Sequence, residues 1–537
     1  MDKNLTKRWL RHKYKHHKRP LAVLVLMSIV LSVTAVLFAY VTKLTLDGAQ
    51  ARDMTRFTQG ALLVIALLIF QILFKMIYTY LVTYTKTKTE QTLKHGVYTT
   101  ILKKKMNALS GTHSGALMNY LDSDVKRVSE GLVEFWPRML FLVLRFVFAF
   151  VLLFMLDLYF ALIMLVLGLI LITLSTLVRN AMKRRHHKMQ DAESRLRSFM
   201  QEGLEHIMLI KAFEAEDFTQ DNLSKNQQTF IHAKMHKERL SIFAGTALSG
   251  FFSAGYAFAI IYGAYQIGMN ALTFGSLVAI IQLVEYMQAP FSGLGALLPK
   301  YYAMAGSAER LVTLESLPEE HKRAQTETPD FHALTLSNVS FAYDQALVLK
   351  NLSFTVNKGD FVHLKGESGI GKTTLFKLLL GLNDLTDGTI HINGEHTVSE
   401  NTRHYFTYVP QGLMILSGSI RDNLIYNQES VTEDELINAV KVAELYDDIM
   451  ALPLGFDTAL FERGQGLSEG QLQRLALARS VLKKAPILLL DEITSALDEA
   501  TEKRVLENIK AMTNKTVILI SHRKLDEHLI DHAVHLG

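Results

Sequence analysis

The clearest chemistry lies in one short run, Gly366-Glu-Ser-Gly-Ile-Gly-Lys-Thr373, which matches G-x-x-x-x-G-K-[ST]. Glycines in such a loop let backbone N–H groups approach phosphate oxygens closely, and a following helix adds its positive end. Gly366, Gly369 and Gly371 supply that approach, and Ser368 and Thr374 belong to the same cradle. Lys372 is placed to reach the β- and γ-phosphates of a nucleotide, and Thr373 to offer its hydroxyl to Mg²⁺. A second element is Ile487-Leu-Leu-Leu-Asp491 followed by Glu492. An apolar strand that delivers a carboxylate to a phosphate loop suits Mg²⁺ coordination by Asp491. Glu492 is then placed to orient or deprotonate an attacking water. Two acids after an apolar strand are also found at plain solvated strand ends; the phosphate loop upstream argues for the catalytic reading.

These groups need a scaffold. The segments Leu334–Phe341, Phe354–Val356 and Phe361–Leu364 read as strands. The loop follows the last of them directly, and an apolar helical pattern continues at Leu375–Leu380. This strand–loop–helix order is the one a phosphate loop requires. Residues 334–537 therefore form an α/β nucleotide-binding domain, joined by a polar linker, residues 316–333, to residues 1–315.

The first part has a different texture. Hydrophobic residues make up 49% of the 537-residue chain, and mean hydropathy is +0.16. Six apolar runs, near 21–40, 60–82, 139–156, 158–178, 243–267 and 274–297, each approach the ~20 helical residues needed to cross a ~30 Å hydrocarbon core. The basic run before Leu21 reads either as a nucleic-acid arm or as a cytoplasmic anchor; the apolar run that starts at once favours the anchor. No cleavable signal peptide is expected, since that run lacks a small-residue cleavage motif. Net charge is only +5, and no nucleic-acid partner is expected. The absence of cysteine excludes disulfides and thiolate chemistry.

The two long connections, near 83–138 and 179–242, are rich in Lys and Arg, whereas the short ones are not. The positive-inside rule then puts the N-terminus and the nucleotide-binding domain in the cytoplasm of a multi-pass plasma-membrane protein. Both connections are poor in glycine and proline, so the spans are expected to continue as helices into the cytosol; an independent soluble insert is the alternative. Lys75, Arg145 and Glu285 fall inside spans, as a packing ion pair or as lining of a transport cavity. The two basic groups give a slight hint of an anionic substrate, which a pair between Arg145 and Glu285 would cancel.

Between the two nucleotide elements stands Leu467-Ser-Glu-Gly-Gln471, then Gln473-Arg-Leu-Ala-Leu-Ala-Arg479. Here the chain resembles the ATP-binding cassette (ABC) family, whose signature usually reads L-S-G-G-Q; Glu469 is a variant at its third position. The resemblance implies that Ser468, Gly470 and Gln471 contact nucleotide. It implies that Tyr343 stacks on adenine and that Gln411, in Tyr-Val-Pro-Gln, senses Mg²⁺ and the membrane domain. Ser495-Ala-Leu-Asp498 resembles the D-loop, and His522 the switch histidine that contacts the γ-phosphate. Glu462-Arg-Gly464 resembles the exporter-specific loop ahead of the signature. In the membrane half, 115–125 and 210–216 look like the two coupling-helix regions, and 272–278, Pro290 and Glu309-Arg-Leu311 follow the sixth-span pattern. Against the family the chain stops soon after His522, so a shortened C-terminus is expected.

The resemblance implies a helical membrane domain, six transmembrane helices with long cytosolic extensions, followed by an α/β ATP-binding cassette. It implies an ATPase using ATP and Mg²⁺, with each site shared between two cassettes. The partner is a second copy or a homologous half-transporter. The cargo is a small molecule, lipid or peptide, and the surroundings are membrane lipid. An importer on the same fold, the intact subunit of a heterodimer, and an ATP-gated channel are alternative readings.

Overall fold

The structure, a computed structural model, describes residues 3–16, 18–109, 112, 114–320, 330–343, 346–412, 414–428, 430–461, 466–523 and 525–536. It divides into two units, residues 1–99 with 114–315, and residues 100–113 with 316–537. The exporter-specific run Glu462-Arg-Gly464 and half of the linker, residues 321–329, lie outside the described residues.

The first unit is helical. Its elements are α1 (Lys3–His16), α2 (Lys18–Gln50), α3 (Met54–Lys103), which ends in the second unit, α5 (Ser114–Asn119), α6 (Val125–Leu156), α7 (Leu158–Glu205), α8 (Ile207–Ala212), α9 (Glu216–Gly268) and α10 (Phe274–Glu315). Among the described residues, four helical stretches are long and apolar enough to cross a membrane: α2, α3, Gly115–Leu156 and α9. A shorter apolar stretch, Leu158–Gly168, opens α7. The residues read as the sixth span lie within the single helix α10. Along α3 no residue between Gly60 and Thr85 is buried, while Leu62, Leu63, Ile65, Ile69, Ile72 and Leu73 are exposed. An outward apolar face of that length suits lipid or another chain, not water. At 48–53 residues, α3, α7 and α9 run far past the ~20 a bilayer needs.

Local chemistry sets the helix ends and crossings. Asp157 caps α7, its carboxylate accepting from the Phe160 N–H at 2.9 Å, and the Tyr262 hydroxyl of α9 donates to its other oxygen at 3.0 Å. Below this tie, Phe160 stacks against Phe258 and meets Tyr262 in a buried cluster with Ala149, Leu153, Ala259 and Leu283. Arg145 does not pair with Glu285 among the described residues. Its guanidinium lies 3.9 Å from the ring centre of Tyr286, a cation–π contact, and Glu285 and Lys75 are exposed.

The second unit holds two sheets. The antiparallel one runs β2–β1–β4–β5, with β1 at Ala333–Tyr343, β2 at Ala346–Asn357, β4 at Asp387–Ile392 and β5 at His396–Thr397. The parallel one runs β11–β3–β10–β9–β6, with β3 at Phe361–Lys365, β6 at Phe406–Val409, β9 at Ile487–Asp491, β10 at Thr516–Ile520 and β11 at His532–His535. A two-stranded ribbon joins β7 (Gly418–Ser419) to β8 (Ala459–Leu460). Strands β9 and β10 are buried at every position, as near-continuous Ile/Leu/Val runs in a sheet covered on both faces must be. The helices are α4 (Met106–Leu109), α11 (Lys372–Leu379), α12 (Ile420–Ile425), α13 (Glu433–Val442), α14 (Tyr446–Met450), α15 (Glu469–Leu482) and α16 (Glu499–Lys510).

Candidate nucleotide site

Four parallel strands end together. Leu364 of β3 pairs with Ile520 of β10, Ile520 with Asp491 of β9, and Leu490 of β9 with Val409 of β6. Ligands of open α/β sheets bind at such carboxyl ends. The register therefore brings the Gly366–Thr373 loop, His522, Asp491 with Glu492, and Gln411 to one edge, although they are spread over more than a hundred residues of sequence.

The loop shows why it is glycine-rich. Gly371 takes φ 105°, and a Cβ there would lie 2.7 Å from Val348 Cγ1. Gly369 takes φ 86°, a conformation other residues adopt at a cost. Gly371 precedes α11 without any side-chain cap, so no side chain competes for the N–H groups of the first turn. Lys372 is buried and folds back, donating to the Gly366 and Glu367 carbonyls at 2.7 and 2.9 Å. Those carbonyls hold its ammonium beside the cradle that an anion would fill.

Asp491 ends β9 with its carboxylate buried. One oxygen accepts from the Tyr408 hydroxyl at 3.3 Å; the other, Oδ1, is buried with no partner. Burial pushes the Asp491 carboxyl upward, while the Thr373 and Tyr408 hydroxyls pull it down. Burial, and then the neighbouring Asp491 charge, push the Tyr408 phenol far up, so it remains a hydrogen donor. A buried carboxylate with one orphaned oxygen beside a threonine hydroxyl fits a divalent cation, whose charge offsets the desolvation.

Glu492 lies in the left-handed region at φ 53°, rare for a residue with a side chain. Its N–H donates to the Ile520 carbonyl at 3.0 Å, which fixes the turn against the end of β10. The Gln411 amide donates to one carboxylate oxygen at 2.7 Å, and His522 Nε2 lies 2.8 Å from the other. The glutamate is thus held from both sides by residues from two other strand ends.

The remaining sequence-derived residues lie on other elements. Tyr343, at the end of β1, is 42% exposed and receives a hydrogen bond from Asn383 at 3.2 Å, with Phe341 edge-on behind it. Ser468 caps α15 in a reciprocal box with Gln471: its hydroxyl accepts from the Gln471 N–H at 3.3 Å, and its N–H donates to the Gln471 side chain at 2.9 Å. Gln471 also donates to Asp448 at 2.9 Å. At Gly470 a Cβ would stand 3.0 Å from the Ala496 carbonyl. No described contact joins these three to the phosphate loop of the same chain.

Two supporting residues have no role of their own in the motif reading. Gln473 donates to the Ser495 hydroxyl at 3.1 Å and accepts from the Ala496 N–H at 3.3 Å. Arg523 donates to the Ser495 and Leu497 carbonyls at 3.2 and 2.9 Å and to the buried Glu502 at 2.6 Å. The D-loop-like run 495–498 is therefore tied to α15 on one side and to the segment after β10 on the other. The signal was present, a long cation directly after His522, but its partners are fixed only by the fold. In the membrane-side motifs, Arg310 makes a two-point ion pair with buried Asp124, uniting 115–125 with Glu309-Arg-Leu311.

Comparison with known proteins agrees with this arrangement. The model of the ABC transporter transmembrane region matches residues 21–291, and that of the ABC transporter ATP-binding domain matches residues 349–495. The chain belongs to the ABC transporter family, with a membrane region and an ATP-binding cassette in one polypeptide. Among its relatives is an ATP-dependent lipid A-core flippase of Syntrophus aciditrophicus, 28% identical over 80% of this chain and 73% of that one. A putative export ATP-binding/permease protein of Rickettsia bellii is 28% identical over 96% of this chain and 91% of its own. A bacterial Atm1-family ABC exporter solved with ATP bound shares the fold, with TM-score 0.81 at 22% identity over 97% of this chain and 93% of that one.

Proposed function

We propose that the chain is one half of an ATP-hydrolysing exporter of the plasma membrane, its N-terminus and cassette cytoplasmic, which couples ATP binding at a seam between two cassettes to alternating access. The observation that carries the reading is Glu492 held between Gln411 and His522, beside the phosphate loop and Asp491. Lys372, now on its own loop carbonyls, turns to the β- and γ-phosphates when nucleotide enters, and Tyr343 offers a ring face to the adenine. Thr373, Asp491 and Gln411 would hold Mg²⁺, which when bound neutralises charge on the phosphates. Glu492 accepts a proton from, or orients, the water that attacks the γ-phosphate, and His522 steadies that phosphate.

Among the described residues Ser468, Gly470 and Gln471 make no contact with their own loop, which supports their use on nucleotide held by a second chain. The same conclusion is supported by an apolar patch on and beside α8. Ile207, Met208, Leu209, Phe213 and Phe218 are all exposed, Met208 by 83%, and a patch of this kind marks a partner surface. The residues 115–125 and 210–216 carry cassette closure to the spans, and a small molecule, lipid or peptide is the cargo. The test is Glu492→Gln in lipid nanodiscs. Turnover is expected to fall by about 10²-fold or more, while ATP still draws the cassettes together. Retained hydrolysis would remove the assignment of the base.

A further inference from the structure

A cavity of about 210 Å³ opens in the membrane unit between α6, α7, α9 and α10. Its walls are aromatic: Phe291 meets Phe146 edge-on at 6.4 Å and Phe252 at 6.1 Å, and Phe251 meets Phe252 edge-on at 6.3 Å. Met164, Val284, Met287, leucines and two glycines complete it, and among the described residues no charged side chain lines it. Arg145, next to Phe146 in sequence, is turned away onto Tyr286. Among the described lining residues the polar group is Gln288, whose amide makes a long bond, 3.4 Å, to the Phe252 carbonyl.

Gln288 and Phe252 also line a second, more open space, completed by Ser249, Ser253 and Tyr256. These three follow one face of α9 at helical spacing, i, i+4 and i+7. They present hydroxyls at a depth of the span where an unpaired polar group is costly. Among the described residues nothing charged lines this space either. A dry aromatic chamber thus opens, past one amide, onto a row of hydroxyls.

Resting on the exporter reading above, the geometry points to a binding site for an uncharged amphiphile. Its apolar group fills the Phe146–Phe252–Phe291 chamber, and its hydroxyl, ester or amide head meets Gln288, Ser249, Ser253 and Tyr256. The size suits one ring system or a short stretch of alkyl chain, since an apolar cavity of about 150 Å³ takes up benzene. Recognition by hydroxyls and one amide, with no cation or anion, selects against charged heads: an ionic group would lose its hydration without gaining a counter-charge.

The absence of cysteine makes the test direct. Ser253→Cys places a single thiol in the full-length protein, in nanodiscs, and its alkylation by N-ethylmaleimide is timed without ATP. Added 1-monooleoylglycerol, at ten times its half-protecting concentration, is expected to slow alkylation about tenfold. Lysophosphatidic acid, with the same tail and an anionic head, is expected to protect far less. 1-Naphthyl β-glucoside serves as the aromatic arm; whichever neutral probe protects more identifies the favoured apolar group. Gly255→Leu fills the chamber, where a Cβ finds only Met164 Cε at 3.6 Å, and is expected to abolish protection. Gln288→Leu, similar in size, is expected to weaken it and serves if the filled variant does not fold. Equal protection by the anionic lipid, or no protection by either neutral probe, would overturn the site. Because protection is read without ATP, loss of wild-type ATPase would count against the exporter reading alone.

Discussion

Arg523 follows His522 and fastens three segments with one guanidinium, through the carbonyls of Ser495 and Leu497 and the carboxylate of Glu502. Glu502 is buried, and its other oxygen has no partner, so it depends on this cation. Arg523→Gln is expected to lower cassette stability by about 1–3 kcal/mol, a value reduced because the arginine is itself partly exposed. Adding Glu502→Gln is expected to recover part of that loss, since no buried charge is then left unpaired. Thermal unfolding of both single variants and the double variant measures the coupling; strictly additive losses would show that the two side chains do not act together. At this scale the sequence was readable where chemistry demands a residue type at a set spacing. The phosphate loop, Asp491 and Glu492 could be named from the backbone and charge requirements of phosphate chemistry, whereas Gln411 and His522 could be named only through the family resemblance. Arg523, Gln473 and Tyr408 could not, because each is defined by the atoms it meets across the fold, and any long polar side chain satisfies the local pattern. Arg145 teaches the same lesson: its presence in a span was plain, but its partner is the Tyr286 ring and not the neighbouring Glu285.

Elements in the cassette are pinned by lysines. Lys515, before β10, is buried and donates to the Lys483 and Ala485 carbonyls at 2.8 and 2.6 Å, fixing the turn between α15 and β9. Burial pulls its ammonium down to about 8. Between there and the unfolded value near 10.5 the unfolded chain binds more protons, so this residue makes stability rise with pH across that window. The rise is expected to be about 1–3 kcal/mol and absent in Lys515→Met; equal slopes in melting temperature from pH 8 to 10 would refute it. A second clamp lies where α3 ends. Lys104 forms a short antiparallel bridge with Glu319, the Glu320 N–H donates to the Lys103 carbonyl at 2.7 Å, and the Lys105 N–H donates to Pro318 at 3.0 Å. The fully buried Lys104 ammonium reaches the Leu317 carbonyl at 2.7 Å and Glu319 at 2.9 Å, while Arg403 grips Glu320 with two bonds. Lys104→Met is expected to raise exchange of the Lys105 and Glu320 amides about tenfold, equivalent to about 1.4 kcal/mol, by hydrogen-exchange mass spectrometry; unchanged exchange would show that the backbone ladder alone suffices. Periodicity had located β1, β3, β9 and the long helices, because each buries a regular pattern. It missed the first two thirds of β2, residues 346–353, whose side chains are mostly exposed and which is held by backbone pairing to β1. It also read the end of α3 only as a basic run, since a three-residue bridge leaves no period.

At the scale of the whole molecule, one chain holds half of each reaction site under the proposed exporter reading, with apolar surface left to cover. The catalytic cluster has no contact with Ser468 or Gly470 of its own cassette among the described residues, and the flank of α8 exposes large apolar side chains. Under the proposed reading a two-fold pair would answer both needs, each copy offering its signature helix to the other's phosphate loop and receiving the same in return. Both halves of that exchange are intact here, with Lys372, Asp491, Glu492 and His522 on one side and Ser468, Gly470 and Gln471 on the other. The chain purified alone is therefore expected to be an active homodimer with two equivalent sites. Mixing wild type with an equal amount of Glu492→Gln before assembly makes the arithmetic visible: random pairing gives about one quarter wild-type dimers and one half mixed dimers. If closure needs both sites to turn over, activity falls towards about one quarter of the unmixed level; if each site works independently, it falls only to about one half. A value near one quarter shows that two copies share the reaction; about one half equals simple dilution, and pairing is then read from the size and activity of the chain purified alone. No hydrolysis from the single polypeptide, restored when a different half-transporter is supplied, would show that the second signature helix comes from another chain.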